Sequence, residues 1–241
     1  MNRLRPFIRT LERRDRLSPD ELALLSSAQL RVQGFRRGQE IVRAKTQPGE
    51  SCLMVQGISG REMVTAEGKR QISALHVAGD FVDLHSFVLK RMDHAVVALT
   101  EVAAIFVPHA EIRRIIDASP HLGRLFWLMT TIDGAIQRAW IACLGRSTAM
   151  QHMAHLFCEL WTRMEIVGLV SGHSFPFRLT QAELADVVGL SAVHVNRTLQ
   201  ELRGLGVVDW NGEQVEIIDF DRLVALGDFD KTYLNLTQEP R

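Results

Sequence analysis

The stretch from Leu179 to Gly206, LTQAELADVVGLSAVHVNRTLQELRGLG, restricts what this chain can fold into more than any other. Thr180 suits a helix N-cap and Glu183 follows three residues later, so hydroxyl and carboxylate can close a capping box that starts a short helix at Gln181. Leu184, Ala185 and Val188 share one apolar face, Gly189 frees the backbone for a tight turn, and Ser191 caps a second helix. In that second helix Val195, Leu199 and Leu202 recur at i, i+4 and i+7 and turn toward the first. Val193, Arg197 and Gln200 then point the opposite way. Two short helices, a glycine turn and a polar outer face describe a helix-turn-helix, whose second helix can enter the major groove of double-stranded DNA. Arg197 is the expected base reader, because its planar fork matches guanine O6 and N7. His194 and Asn196 flank it, and Val193 suits a thymine methyl. The competing reading of the same residues is a plain helical hairpin with a solvated Arg197.

The residues that follow support the first reading. Gly204 and Gly206 end the helix, Val207-Val208-Asp209-Trp210 reads as a strand, Asn211-Gly212 is a hairpin turn, and Val215 to Ile218 reads as the returning strand. This is a β-wing behind the reading helix. Asp221 is expected to cap a last helical piece through Leu226, and the tail from Thr232 to Arg241 to lie loose.

Composition tempers the picture. The 28 basic and 28 acidic side chains cancel, and the C-terminal part holds more Asp and Glu than Lys and Arg, which is unlike a strongly basic DNA binder. Assembly is expected to gather Arg178, Arg197 and Arg203 on one surface, with modest, salt-sensitive affinity. Three scattered cysteines, Cys52, Cys143 and Cys158, suit a reducing cytoplasm. No apolar run reaches the length of a membrane span, so no membrane partner is expected; Val96 to Val107 is interrupted by Thr100 and Glu101 and reads as buried strands. The arginine-rich start lacks the apolar core of a signal peptide, and Phe7, Ile8 and Leu11 are expected to pack inward beneath a solvated face.

Ahead of the helix-turn-helix the hydrophobic period changes twice. Ser18-Pro19-Asp20-Glu21 starts a helix through Leu30, after which Val32 to Pro108 runs in short apolar strands punctuated by turn signals such as Arg37-Gly38, Pro48-Gly49 and Gly79-Asp80. Such spacing predicts an antiparallel sandwich or barrel of Greek-key or jelly-roll type. From His109 the period is helical, and a long helix from His121 to Leu144 carries Leu122, Leu125, Met129, Ile132, Ile136, Ala139 and Cys143 at spacings of three or four. A stripe sustained that far predicts a coiled-coil seam and a homodimer, with Leu125, Met129, Ile132 and Ile136 at the interface. The alternative, that the stripe docks on its own barrel, stays open. The expected organisation is an α+β chain: N-terminal helices and barrel over 1–108, a helical linker over 109–144, a winged helix-turn-helix over 145–229 and a tail over 230–241. His152, His155 and Cys158 share part of a helix surface but lack the four close ligands of a zinc site.

In this order the parts resemble the Crp/Fnr family of bacterial transcription regulators. The resemblance rests on Phe35-Arg36-Arg37-Gly38-Gln39-Glu40-Ile41, Ala78-Gly79-Asp80-Phe81, Val97-Ala98-Leu99-Thr100 and Leu179 to Arg203. It implies a sensory barrel resembling a cyclic-nucleotide-binding domain, paired recognition helices on a palindromic promoter site, and RNA polymerase as a partner. Arg197 matches the family's base-reading arginine, and Thr180, Gln181 and Ser191 match positions that hold phosphates; Gln200 is placed with them. The effector pocket would be built from Asp83, Leu84, His85, Arg91, Met92, His94 and Thr131.

Departures from the family pattern bear on the signal. Relatives that bind cyclic AMP carry Gly-Glu where Asp83-Leu84 stands, and the phosphate-holding arginine should fall near Met92, with Arg91 one residue away. Leu84 cannot bond a ribose and an inward Asp83 repels a phosphate, so cyclic AMP is not the expected effector. Without an N-terminal cysteine cluster, an iron–sulfur centre is not expected either. His85 and His94, with His76 nearby, keep haem open as a cofactor, or another small-molecule effector. Val193 replaces a glutamate that reads cytosine, so the preferred half-site should differ. Gly145 is the expected hinge between long helix and DNA domain. No nucleophile triad or phosphate-cradling loop points to an enzyme. A signalling module that uses its helix-turn-helix for protein contact is the remaining alternative.

Overall fold

The computed structural model describes residues 2–89 and 91–241. Helices α1 (Arg5–Glu12) and α2 (Pro19–Ser26) precede seven strands: β1 (Arg31–Phe35), β2 (Glu40–Val42), β3 (Glu50–Gln56), β4 (Ser59–Val64), β5 (Arg70–His76), β6 (Ala95–Ala98) and β7 (Val102–Pro108). They form two antiparallel sheets, ordered β1-β7-β3 and β2-β6-β4-β5, closed over a jelly-roll core. Cys52, Met54, Val96, Ala98, Ala104 and Phe106 are buried between them, while Leu53 and Ile105 point outward and are covered by helices. A 3-10 turn, Leu84–Phe87, crosses the barrel between β5 and β6. Gly79 sits at φ 92° where α1 passes close by; a Cβ there would meet the Thr10 hydroxyl at 2.7 Å, so the turn needs glycine twice over.

Pro108 leads into α3 (His109–Ala118), and Ser119 caps the long helix α4 (Pro120–Arg146) with Pro120 in its first turn. A Thr148–Gln151 capping box then starts α5 (Ala149–Val167), which is buried along nearly its whole length. The C-terminal part adds β8 (Ser174–Pro176), α6 (Gln181–Val188), α7 (Ala192–Gly204), β9 (Val208–Trp210), β10 (Gln214–Ile217) and α8 (Phe220–Gly227). The wing is three-stranded, ordered β8-β10-β9, and β8 escaped the sequence reading because it is only three residues long.

Several expectations need correction. The helix after Ser18 stops at Ser26, short of Leu30. The cap of α8 is Asp219, whose carboxylate accepts from the Arg222 amide, rather than Asp221. The tail is not loose: Leu234 is fully buried, its carbonyl accepts from Arg14 at 2.9 Å, the Glu239 amide donates to the Arg14 carbonyl and the Arg241 amide to Asp15. Apolar content alone hid this docking, because backbone groups make most of it. Arg14, read as part of a solvated face, is therefore buried. Gly145 lies inside the last turn of α4, at negative φ, and the chain turns at Ser147.

The face of α4 also differs from the expected seam. Leu125, Ile132 and Ile136 are buried against their own chain, and Met129 packs with them, because α4 must cover both α3 and the barrel. What α4 leaves open is another line: Trp127 at 75% exposure, Thr131, Arg138, Ile141 at 68% and Gly145, with the half-buried Gly134 among them. These recur every three or four residues, which is the spacing of a coiled-coil seam.

Candidate nucleic-acid interface and barrel pocket

Two capping devices fix the helix-turn-helix. The Thr180 hydroxyl accepts from the Glu183 amide at 3.1 Å and donates to the Glu183 carboxylate at 3.0 Å, which also accepts from the Thr180 amide at 2.7 Å. Gly189, at φ 67°, terminates α6, and the Ser191 hydroxyl accepts from the His194 amide at 3.2 Å to start α7. Val195, Thr198, Leu199 and Leu202 are buried. Opposite them stand Val193, 82% exposed, the Arg197 side chain, 68% exposed, and the exposed Asn196 and Gln200, with His194 half-buried. A valine so exposed on a polar face has no folding reason to be there, which fits contact with an apolar group of a partner.

Arg197 has one acidic neighbour, Glu201, at 3.7 Å across exposed surface, so its fork can reach outward. Asn196 donates to the Gln181 side chain at 3.2 Å, tying the start of α6 to α7. Thr180 spends both its hydroxyl proton and its amide on Glu183, while Gln181 and Ser191 are exposed at the starts of the two helices. An open groove lined by Gln181, Asn196, Gln200 and Arg203 runs between α7 and the wing turn at Asn211-Gly212. The other expected cations are committed elsewhere: Arg203 pairs with Asp209 at 2.5 Å and bonds the Trp210 carbonyl, and Arg178 lies 3.8 Å from Glu213. The barrel instead lends its own arginines. Arg37 bonds Glu183 and the Arg178 carbonyl, Arg70 pairs with Asp186 at 2.6 Å, and the Gln71 side chain donates through Nε2 to the Asp186 and Val187 carbonyls.

Within the barrel the expected pocket residues separate. Asp83, 1% exposed, accepts the Cys52 amide at 2.6 Å, and burial pushes its carboxyl up to about 7. Met92 belongs to the wall, packed with Phe35, Val42 and Cys52, and Arg91 faces solvent. Thr131 lies on the open face of α4 and donates to the Trp127 carbonyl. Leu84, His85 and His94 do come together: the two imidazoles lie 5.3 Å apart, and Leu84 and His85 line a cavity of about 60 Å³. Burial, and then the charge of Arg61, hold His76, His85 and His94 below the ordinary imidazole range, His85 at about 4. The Nε2 atoms of all three have no hydrogen-bond partner among the described residues.

Sequence reasoning missed the charged half of this pocket. Arg61 on β4 is buried, donates to the Val82 carbonyl and pairs with Asp133 of α4 at 3.0 Å. Arg163 of α5 pairs with Asp80 at 2.7 Å and with the fully buried Glu159 at 2.8 Å. A lone arginine in the apolar helix α5, and another in β4, were the available signals. His155 bonds Tyr233 and stacks on it, and no group of three His, Cys, Asp or Glu converges as a metal site among the described residues. The cavity does not fit haem, since a porphyrin is several-fold larger, and lies well below the roughly 300–1,000 Å³ of pockets for drug-sized ligands. A cyclic nucleotide fits no better, with Leu84 and a solvent-facing Arg91 where its ribose and phosphate partners would stand.

Comparison with known proteins accounts for both halves. Residues 32–119 match the cyclic nucleotide-binding domain and residues 151–226 the Crp-like helix-turn-helix domain. The chain is 26% identical over 213 residues to the transcriptional activator protein FnrL of Cereibacter sphaeroides, covering 87% of this chain and 85% of that protein. It is 29% identical over 208 residues to a probable transcriptional activator of Rhizobium leguminosarum bv. viciae, covering 86% and 85%. Its fold matches the structure of FixK2 from Bradyrhizobium japonicum with a TM-score of 0.74 at 22% identity, over 82% of this chain and 97% of that one.

Proposed function

The chain belongs to the Crp/Fnr family of transcription regulators, and from that premise we propose that it works as a homodimer reading a palindromic promoter site, one guanine per half-site through Arg197. The observation that carries this reading is the face of α7: capped at both ends of the turn, packed through Val195 and Leu202, and open at Val193, Asn196, Arg197 and Gln200. The dimer seam we assign is the open line of α4, where Trp127 and Ile141 would be buried by a second copy and Thr131 and Gly134 let the helices approach. Two recognition helices would then sit about one turn of DNA apart. The relatives described as activators favour recruitment of RNA polymerase by the bound dimer, acting in the cytoplasm on DNA. The barrel senses a small-molecule signal other than cyclic AMP, supported by Leu84 and by the small, charged cavity beneath it.

The test is enrichment of fragmented genomic DNA at moderate salt. The wild-type chain should enrich one palindrome. Arg197→Ala should lose about 1–3 kcal/mol on that site and little on random DNA. Trp127→Asp should run as a monomer in sedimentation and lose the enrichment as well. Equal losses for Arg197→Ala on both DNAs would reduce that residue to a phosphate contact, and no enrichment at all would move the helix-turn-helix to protein contact.

A further inference from the structure

The cavity beside His85 lies where four parts of the molecule meet: Arg14 after α1, His76 to Phe81 at the end of β5, Met129 to Ile136 of α4, and Arg163 of α5, with Leu234 of the tail closing it. Arg14 is its most unusual member. Both its terminal nitrogens donate to neutral carbonyls, Thr10 at 2.7 Å and Leu234 at 2.9 Å, and its Nε has no partner among the described residues. A guanidinium this buried normally meets a carboxylate, because removing a charge from water is costly without a countercharge. The two carboxylates that line the cavity are already engaged: Asp80 by Arg163 and the Val77 amide, Asp133 by Arg61. His76 and His85 add two further nitrogens without partners. His76 bonds the Ser59 hydroxyl through Nδ1, so its Nε2 can present either a proton or a lone pair.

We propose that this cavity binds one small monovalent anion, an inorganic oxyanion or a short carboxylate, with Arg14 as its countercharge and His76 and His85 as hydrogen-bond partners. Its 60 Å³ admits roughly four water-sized groups at about 15 Å³ each, which excludes nucleotides and sugars but holds an ion of nitrate or formate size. A cation is disfavoured by Arg61, Arg163 and Arg14, whose charges already depress the neighbouring imidazoles or each other. An anion here touches the barrel, α4 and α5 together, so its binding can bias how the DNA-binding part sits on the barrel. The inference deepens the reading of the barrel as a sensor and rests on it.

Thermal melts of the full-length protein in sodium nitrate and, separately, sodium formate test the site, with ionic strength held by sodium gluconate, whose anion exceeds the cavity. Each salt should raise Tm saturably, and the midpoint should move at least tenfold higher in Arg14→Gln and in His85→Gln but stay put in Arg13→Gln, an exposed neighbour. A nitrate preference assigns the site to inorganic oxyanions and a formate preference to carboxylates. No saturable shift with either salt overturns the proposal, and so does a shift that survives both pocket variants. Should Arg14→Gln fail to fold, the half-buried His85→Gln decides alone. Operator enrichment is measured separately, so a chain that enriches its palindrome yet binds neither anion loses the anion site alone.

Discussion

The exposed face of α7 and the cavity under the barrel both turn on arginine, yet they are built in opposite ways. Arg197 stands in solvent on one helix, positioned by caps within a few residues of it, and its nearest acid is a loose neighbour on the same helix. Arg14, Arg61 and Arg163 are buried, and each is held by groups distant in sequence: Leu234, Asp133 and Asp80. A surface arginine can be removed without disturbing the fold, and so can be specialised for a partner. A buried one is bound into the fold, and so can report to the rest of the molecule what occupies the space beside it.

The largest expected effect follows from that contrast. Arg163→Ala leaves the fully buried Glu159 and the Asp80 carboxylate without their cation, and should cost about 3–5 kcal/mol in urea unfolding. Arg197→Ala should stay within about 0.5 kcal/mol of the wild type in the same experiment. Similar losses for the two variants would erase the distinction between an arginine free on one helix and one bound into the fold.

The same contrast explains what the sequence disclosed. The helix-turn-helix was legible because its determinants are local: Thr180 with Glu183, Gly189, Ser191 and an apolar period completed within each helix. The barrel was legible as a type from its turn signals. The pocket was not, since nothing local announces that Arg61 faces Asp133 or that Arg14 meets the tail. The long helix shows the boundary between the two cases. Its apolar stripe through Leu125, Ile132 and Ile136 is real, but periodicity says only that a face is buried, not by what; α3 and the barrel took that face, and Trp127 and Ile141 were left on the other.

A smaller effect separates the barrel by pH. Between about pH 4 and pH 7 folded Asp83 keeps a proton that the unfolded chain has released, so its contribution to stability is present at low pH and lost as pH rises through about 7. His85 and His152 act in the opposite sense: burial holds both at about 4, so the unfolded chain takes up protons first and stability falls as pH drops below 6.5. Asp83→Asn keeps an acceptor for the Cys52 amide but removes the opposing proton. Its acid loss should therefore steepen, by up to about 1.4 kcal/mol per pH unit in chemical unfolding from pH 7 to pH 4. An unchanged slope would mean that Asp83 is ionised throughout.

The smallest effect bears on whether the two regions communicate. Arg37 and Arg70 reach from the barrel to Glu183 and Asp186 of α6, and their side chains are 42% and 35% exposed, so each pair contributes at most about 1 kcal/mol and weakens with salt. Glu183 keeps its place in the capping box without Arg37, because the Thr180 amide and hydroxyl still hold it. Arg37→Ala should therefore leave α6 formed while loosening its seat on the barrel. Amide exchange in Gln71–Ser73 and Asp186–Val188 should quicken a few-fold, with little change in the Gln181–Leu184 turn. Faster exchange throughout α6 would show that the barrel sustains the helix itself. No change anywhere would leave the Gln71 bonds to the Asp186 and Val187 carbonyls as the contact through which the barrel holds the DNA-binding part.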